Sequence, residues 1–263
     1  MKSKSYHPTV AALTIGLASS VSAATYFQDF NGFADGDTTV GDGSQFNGTA
    51  QIQGGQLELT RDGVAGGFAS FNAPALAGSS GGWAASFDYT IIDGPGANVP
   101  ADGFSFNYGG FGASVLGSAE EGMAGEASVS ENLSFEIDTW MNTDAEQGVN
   151  IAEKAGGNDL GLGFTNGPIL EDGTEVSGVA TMSWDPVNGA SFSTTGLLTN
   201  AAFSNLPTTF GADDANLFGL SARVGGANQS VLIDNLSITT IPEPSGTALL
   251  GLSCLGFLLR RRR

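Results

Sequence analysis

Trp83-Ala84-Ala85-Ser86-Phe87-Asp88-Tyr89-Thr90-Ile91 is the stretch whose reading decides the fold. Trp83, Ala85, Phe87, Tyr89 and Ile91 fall on one face at a period of two, with Ala84, Ser86, Asp88 and Thr90 opposite, which is the alternation of a half-buried β-strand. The pattern recurs along the chain. Phe104, Phe106 and Tyr108 alternate with Ser105 and Asn107 in a strand from Gly103 to Tyr108, entered through Asp102. Leu133, Phe135 and Ile137 alternate with Ser134, Glu136 and Asp138 in another. Met182-Ser183-Trp184 and Ala190-Ser191-Phe192 flank Asp185-Pro186-Val187-Asn188-Gly189, whose Asn-Gly pair tolerates positive φ and signals a hairpin. Further strands are expected at Ile52 to Leu59, Leu217 to Val224 and Val231 to Ile238. With 40 glycines, few helical periodicities and no repeat at a fixed period, the chain predicts an all-β fold, an antiparallel β-sandwich. Gly94 to Pro100 and Ala113 to Ser130 read as loops.

The two ends differ from this interior. Lys2, Lys4 and His7 precede an apolar run from Val10 to Ala18 and a small-x-small site at Val21-Ser22-Ala23, which predicts a signal helix cleaved after Ala23. At the other end Ile241-Pro242-Glu243-Pro244 is followed by an apolar run from Ser245 to Leu259 and by Arg260, Arg261, Arg262 and Arg263. That order predicts a short transmembrane helix with its arginines on the cytoplasmic side. Its fifteen or so residues fall short of the roughly twenty that cross a bilayer comfortably. The Pro-Glu-Pro triplet, the Leu/Gly-rich segment and the terminal arginines resemble the PEP-CTERM sorting signal of exopolysaccharide-producing Gram-negative bacteria. The resemblance implies export by the Sec machinery and recognition by an exosortase. It also implies membrane contact through residues 245–259, at least transiently, and a secreted or cell-envelope destination. An ordinary tail anchor is the alternative. The expected organisation is a signal peptide at 1–23, one domain at 24–240 and a sorting segment at 241–263.

Trimming sharpens the charge. Residues 24–240 keep every one of the 27 acidic residues except Glu243, against Arg61, Lys154 and Arg223 alone, a net charge of −23. Such a surface repels nucleic acid and anionic headgroups and favours cations, so no nucleic-acid partner is expected. The one cysteine, Cys254, and the one histidine, His7, both lie outside 24–240. A thiol nucleophile, a Ser-His-Asp triad and a histidine metal ligand are therefore excluded from that domain.

The segment Leu133-Ser-Phe-Glu136-Ile-Asp138-Thr139-Trp140-Met141-Asn142 carries the candidate chemistry. A period of two continued to its end would put Glu136, Asp138, Trp140 and Asn142 on one face, with the two carboxylates about 7 Å apart. No lysine or arginine lies between Arg61 and Lys154, so these acids must be solvated, hydrogen-bonded or bridged by a cation. Oxygen-only ligation suits calcium, with Asn142, Asp144 and backbone carbonyls completing the shell.

Together with Ala101-Asp102-Gly103, the segment resembles the L-type, legume-like lectins of the concanavalin-like jelly roll. In that family an Ala-Asp-Gly stretch places an aspartate on sugar hydroxyls, and a Glu-x-Asp-Thr strand followed by Asn holds calcium and presents the asparagine to the sugar. The resemblance implies sugar contacts from Asp102 and Asn142, to which Gly103 and Trp140 are added as candidates, and a calcium site at Glu136, Asp138 and Asn142, with Asp144 a looser match. It implies a glycan or extracellular polysaccharide as partner. The chain departs from the family in one respect: the family's second metal takes a histidine shortly after the asparagine, and none is present here, which leaves calcium alone.

Other roles remain open for the same residues. Glu136 and Asp138 could be plain strand residues and Ala101-Asp102-Gly103 a plain turn, making the protein a structural or adhesive matrix component. Trp140 and Trp184 could stack on a sugar or belong to the core. Glu136-Ile137-Asp138 also resembles the start of the active strand of family 16-like β-glucanases. Retaining hydrolysis needs a second carboxylic acid about 5 Å from the nucleophile, and Trp140 and Met141 stand where it would be, so no enzyme is expected. Asp213-Asp214 and Asp234-Asn235 are weaker calcium candidates, and Asp234 reads instead as protection of an edge strand.

Overall fold

A computed structural model describes residues 22–64, 66–93, 100–114, 131–140, 147–155 and 158–241. The strands, in chain order, are β1 (Thr25–Gln28), β2 (Gln45–Gly48), β3 (Gln51–Gln53), β4 (Gln56–Thr60), β5 (Phe68–Ala73), β6 (Trp83–Ile92), β7 (Gly103–Gly109) and β8 (Asn132–Asp138). They continue with β9 (Gly148–Ala155), β10 (Asn158–Asn166), β11 (Glu175–Asp185), β12 (Gly189–Thr194), β13 (Ala202–Leu206), β14 (Leu217–Arg223) and β15 (Ser230–Thr240). Two antiparallel sheets result. The eight-stranded sheet runs β13-β12-β11-β6-β15-β4-β3, with β1 also paired to β15; the seven-stranded sheet runs β10-β9-β8-β7-β14-β5-β2.

The alternation expected of Trp83 to Ile91 is realised in β6, whose odd-numbered residues from Trp83 to Ile91 are buried while the residues between them are exposed or half-exposed. Trp83 lies between the sheets, with its ring edge-on to Tyr108, Phe135 and Phe218 at centroid distances of 5.3, 5.7 and 5.4 Å. Edge-to-face packing of this kind places the positive rim of one ring on the negative face of another. Trp184 is also core, 2% exposed, with its indole N–H donating to Thr208 Oγ1. The Asn188-Gly189 hairpin is present between β11 and β12, and Asp185 Oδ1 accepts the N–H groups of Val187 and Asn188 inside it.

Several expectations change. The run Ile52 to Leu59 is two strands, because Gly54 and Gly55 adopt φ of 60° and 78° and fold β3 back on β4. Asp234 protects no edge: β15 lies between β6 and β4, and Asp234 is in register with Asp88 inside the sheet. Strands β9 and β10 were not expected, since their outward positions are glycine, alanine and mixed polar residues that blunt the alternation. The loop from Ala113 to Ser130 lies outside the described residues after Ser114, as does Gly94 to Val99 of the other. The expected signal helix, transmembrane helix and sorting residues Pro242, Glu243, Pro244 and Arg260 to Arg263 also lie outside them. Among the described residues no helix is long and apolar enough to cross a membrane.

Candidate functional site

The outer face of the seven-stranded sheet is built in rows that the register sets. One row runs Phe68, Arg223, Gly103, Asp138, Gly148, Asn166; the next runs Ser70, Ser221, Ser105, Glu136, Asn150, Phe164. The third runs Asn72, Gly219, Asn107, Ser134, Ala152, Gly161. The inner face of the same strands carries Phe104, Phe106, Tyr108, Leu133, Phe135 and Ile137, all in the core. Both faces are buried: every described side chain of β7 and β8 is below the surface. The outer face is nonetheless polar: some of its groups bond to one another, while among the described residues Asn72 Oδ1, Asn132 Oδ1 and Ser134 Oγ are buried without a hydrogen-bond partner. Asn132 Nδ2 donates to Asn107 Oδ1 at 3.2 Å, and Asn107 Nδ2 donates to Ser105 Oγ at 2.8 Å. Asn47 and Asn72 both donate to the carbonyl of Ala113, which brings the start of the following loop over this face.

Asp102 and the end of β8 form one unit. The Ala101-Asp102 peptide is cis, and the Asp102 carbonyl accepts the N–H groups of Thr139 and Trp140 at 3.1 and 3.2 Å. Trp140 N–H also donates to Asp138 Oδ1 at 2.8 Å. These bonds end β8 at Asp138, because the next two N–H groups point back to the Asp102 corner instead of along the ladder. The period of two therefore stops before Trp140, which is half-buried on the turn rather than on the strand face with Glu136. Gly103 has φ of 144°, and a Cβ there would come within 2.5 Å of the Ile137 carbonyl. Glycine at this position lets the two strands meet closely at the site.

The three cations of residues 24–240 all pair with buried carboxylates. Arg223 Nε lies 3.4 Å from Asp102 Oδ2, with its guanidinium 5.6 Å from the centroid of the Phe68 ring. Lys154 Nζ lies 3.2 Å from Glu136 Oε1. Arg61 pairs with Glu58 at 2.5 Å, away from this face, on β4. Glu136 Oε2 accepts from Asn150 Nδ2 at 2.8 Å. Glu136 thus faces an ammonium at Oε1, an ion pair without a hydrogen bond, and an amide at Oε2, a poor fit to a metal ligand. Asp138 keeps a place beside Asp102, flanked in its row by Gly103 and Gly148. Asn142 and Asp144 lie outside the described residues. Among the described residues no group of three or more His, Cys, Asp or Glu side chains is assembled to hold a metal ion.

The register sets Gly103 of the expected sugar contacts opposite Asp138 of the expected calcium site. The sequence motifs missed Arg223, Lys154 and Phe164. The first two were visible only as two of three cations. Phe164 stands 49% exposed in the row of Glu136, with its ring over Gly148, where a Cβ would come within 2.9 Å of it.

No family model matches the chain, and no curated protein matches it. Solved structures do. The Lotus tetragonolobus seed lectin superposes with a TM-score of 0.62 at 16% identity, covering 84% of this chain and 100% of that one. Lectin I-B4 from Griffonia simplicifolia, in a metal-free form, superposes at 0.58 and 16%, covering 83% and 100%. Winged bean acidic lectin complexed with methyl-α-D-galactose superposes at 0.58 and 21%, covering 83% and 98%. The sandwich is that of the legume lectins, and at these identities the likeness is one of fold.

Proposed function

We propose that this chain is a non-catalytic, lectin-like protein that binds carbohydrate at the Asp102 corner, and that it serves in an extracellular polysaccharide matrix. The observation that carries the proposal is the unit formed by the Asp102 carbonyl and the Thr139 and Trp140 N–H groups. These backbone bonds set Asp102 beside the end of β8 and next to Trp140, on a sandwich like that of the legume lectins. A sugar site needs that combination of a fixed acceptor for hydroxyls and an aromatic side chain. In this proposal Asp102 and Asn142 take the hydroxyls, with Gly103 and Trp140 beside them. Calcium sits near Asp138, with Asn142 and Asp144 completing its oxygens. The terminal segments, which resemble a signal peptide and a PEP-CTERM signal, support export by Sec, handling by an exosortase and a place at the envelope of a Gram-negative bacterium.

A glycan array probed with the full chain tests the proposal, with calcium and with EDTA. Binding to a defined glycan class, lost in Asp102→Ala, is expected, with EDTA weakening it. A folded protein that binds no glycan in the presence of calcium would overturn the sugar site and leave a structural matrix role.

A further inference from the structure

Glu136 is the most deeply buried carboxylate of the polar face, 2% exposed, and Lys154 beside it is 8% exposed. A carboxylate so removed from water must be neutralised by a cation or a proton. The register explains how Lys154 reaches it. Lys154 pairs with Asn132, Ala152 with Ser134 and Asn150 with Glu136. All six lie on one face, so Glu136 and Lys154 are separated along the strands by the small pair Ser134 and Ala152. The two long side chains meet above that pair, and Nζ comes to 3.2 Å from Oε1. Asn150 holds the other oxygen at 2.8 Å.

We propose that Lys154 is the resident cation of Glu136, so that this carboxylate holds no metal and any divalent ion on this face is confined to the Asp138 end of β8. A divalent ion at Glu136 would meet the ammonium at close range, and a calcium ion asks for six to eight oxygens, whereas Oε2 is already turned to an amide. An ammonium on a four-carbon stem is a compact point charge that fits this place. Lys154 is therefore a positioning residue. It ties β8 to β9 in the way a bridging metal would, and the tie survives chelation. The proposal concerns the charge at Glu136 and does not depend on sugar binding.

The experiment follows manganese binding to the full chain by electron paramagnetic resonance, using Mn²⁺ alone as the probe, for the unaltered protein and Glu136→Gln. Equal binding in the two, whatever its strength, is expected. A tight Mn²⁺ site in the unaltered protein that Glu136→Gln removes would overturn the proposal. Thermal melts in EDTA supply a second arm. Lys154→Met should lower Tm by about 10 °C, since it leaves a buried charge unpaired. Lys154→Met with Glu136→Gln should regain more than half of that loss. An unchanged Tm in Lys154→Met would also overturn the proposal. Should Lys154→Met fail to fold, the manganese comparison decides. Glycan plays no part in either assay, so its outcome is separate from the fate of the sugar site.

Discussion

The two sheets treat their outer faces in opposite ways. In the eight-stranded sheet the alternation written in β6 and β15 is a true in-and-out pattern, with core residues inward and serine, threonine and aspartate toward water. In the seven-stranded sheet the sequence alternates equally well, yet β7 and β8 are buried on both sides. Polar residues on one sheet therefore meet solvent, and on the other they are shut away from it, some paired and some, such as Asn132 Oδ1 and Ser134 Oγ, without a hydrogen-bond partner among the described residues. A covered polar face costs desolvation unless each group finds a partner.

Three substitutions would break or sharpen this contrast. The largest effect is expected from Asn107→Ala on the covered face, which removes the donor to Ser105 and strands the Asn132 amide in the interior. It should cost about 2–3 kcal/mol in urea unfolding at unchanged m-value. A loss below about 0.5 kcal/mol would mean that the face is as wet as its counterpart.

Asp93, just past β6, sharpens the contrast through charge. It is buried like Glu136 but has Asp172 and Asp62 as neighbours in place of a lysine. Burial first, then Asp172 and Asp62, push its carboxyl above the ordinary carboxylate range, against the N–H of Gly173 that favours the charged form. The folded protein therefore holds this proton to higher pH than the unfolded chain does. The stability it contributes is full below the unfolded value and is lost as pH rises through the raised folded value. Asp93→Asn should remove that loss, raising Tm at pH 7 by about 2–4 °C with little change below about pH 4, as calorimetry across pH would show. The smallest effect belongs to Thr181→Ala on the exposed face of β11, within about 0.5 kcal/mol in the same urea assay.

Much of the fold was legible. The alternations at Trp83, Phe104 and Leu133, and the Asn188-Gly189 turn, each report a local rule, namely side chains at period two or a residue that accepts positive φ. The Gly54-Gly55 turn obeys the same kind of rule, but it sits inside an apolar-polar run, Ile52 to Leu59, that by alternation alone resembles one strand. Strands β9 and β10 were hidden for a different reason: glycine, alanine and mixed polar residues at their outward positions leave no clear alternation of apolar and polar side chains. The end of β8 could not be seen either. Thr139 and Trp140 leave the strand because the Asp102 carbonyl, far away in sequence, accepts both of their N–H groups.

The site divides in the same way. Asp102, Gly103 and Asp138 were found from short motifs, because a close strand approach and a paired acid must be spelled locally. The partners of the acids were not. By itself the sequence determined the β-sandwich, the strong acidity of residues 24–240, the scarcity of cations and the absence of thiol and imidazole chemistry there. Only the tertiary structure decided that Arg61, Lys154 and Arg223 go to Glu58, Glu136 and Asp102, and that Asp93 goes without. Pairing across strands depends on register and on which small residues lie between, as Ser134 and Ala152 lie between Glu136 and Lys154. Composition counts charges, and only the assembled sheet assigns them.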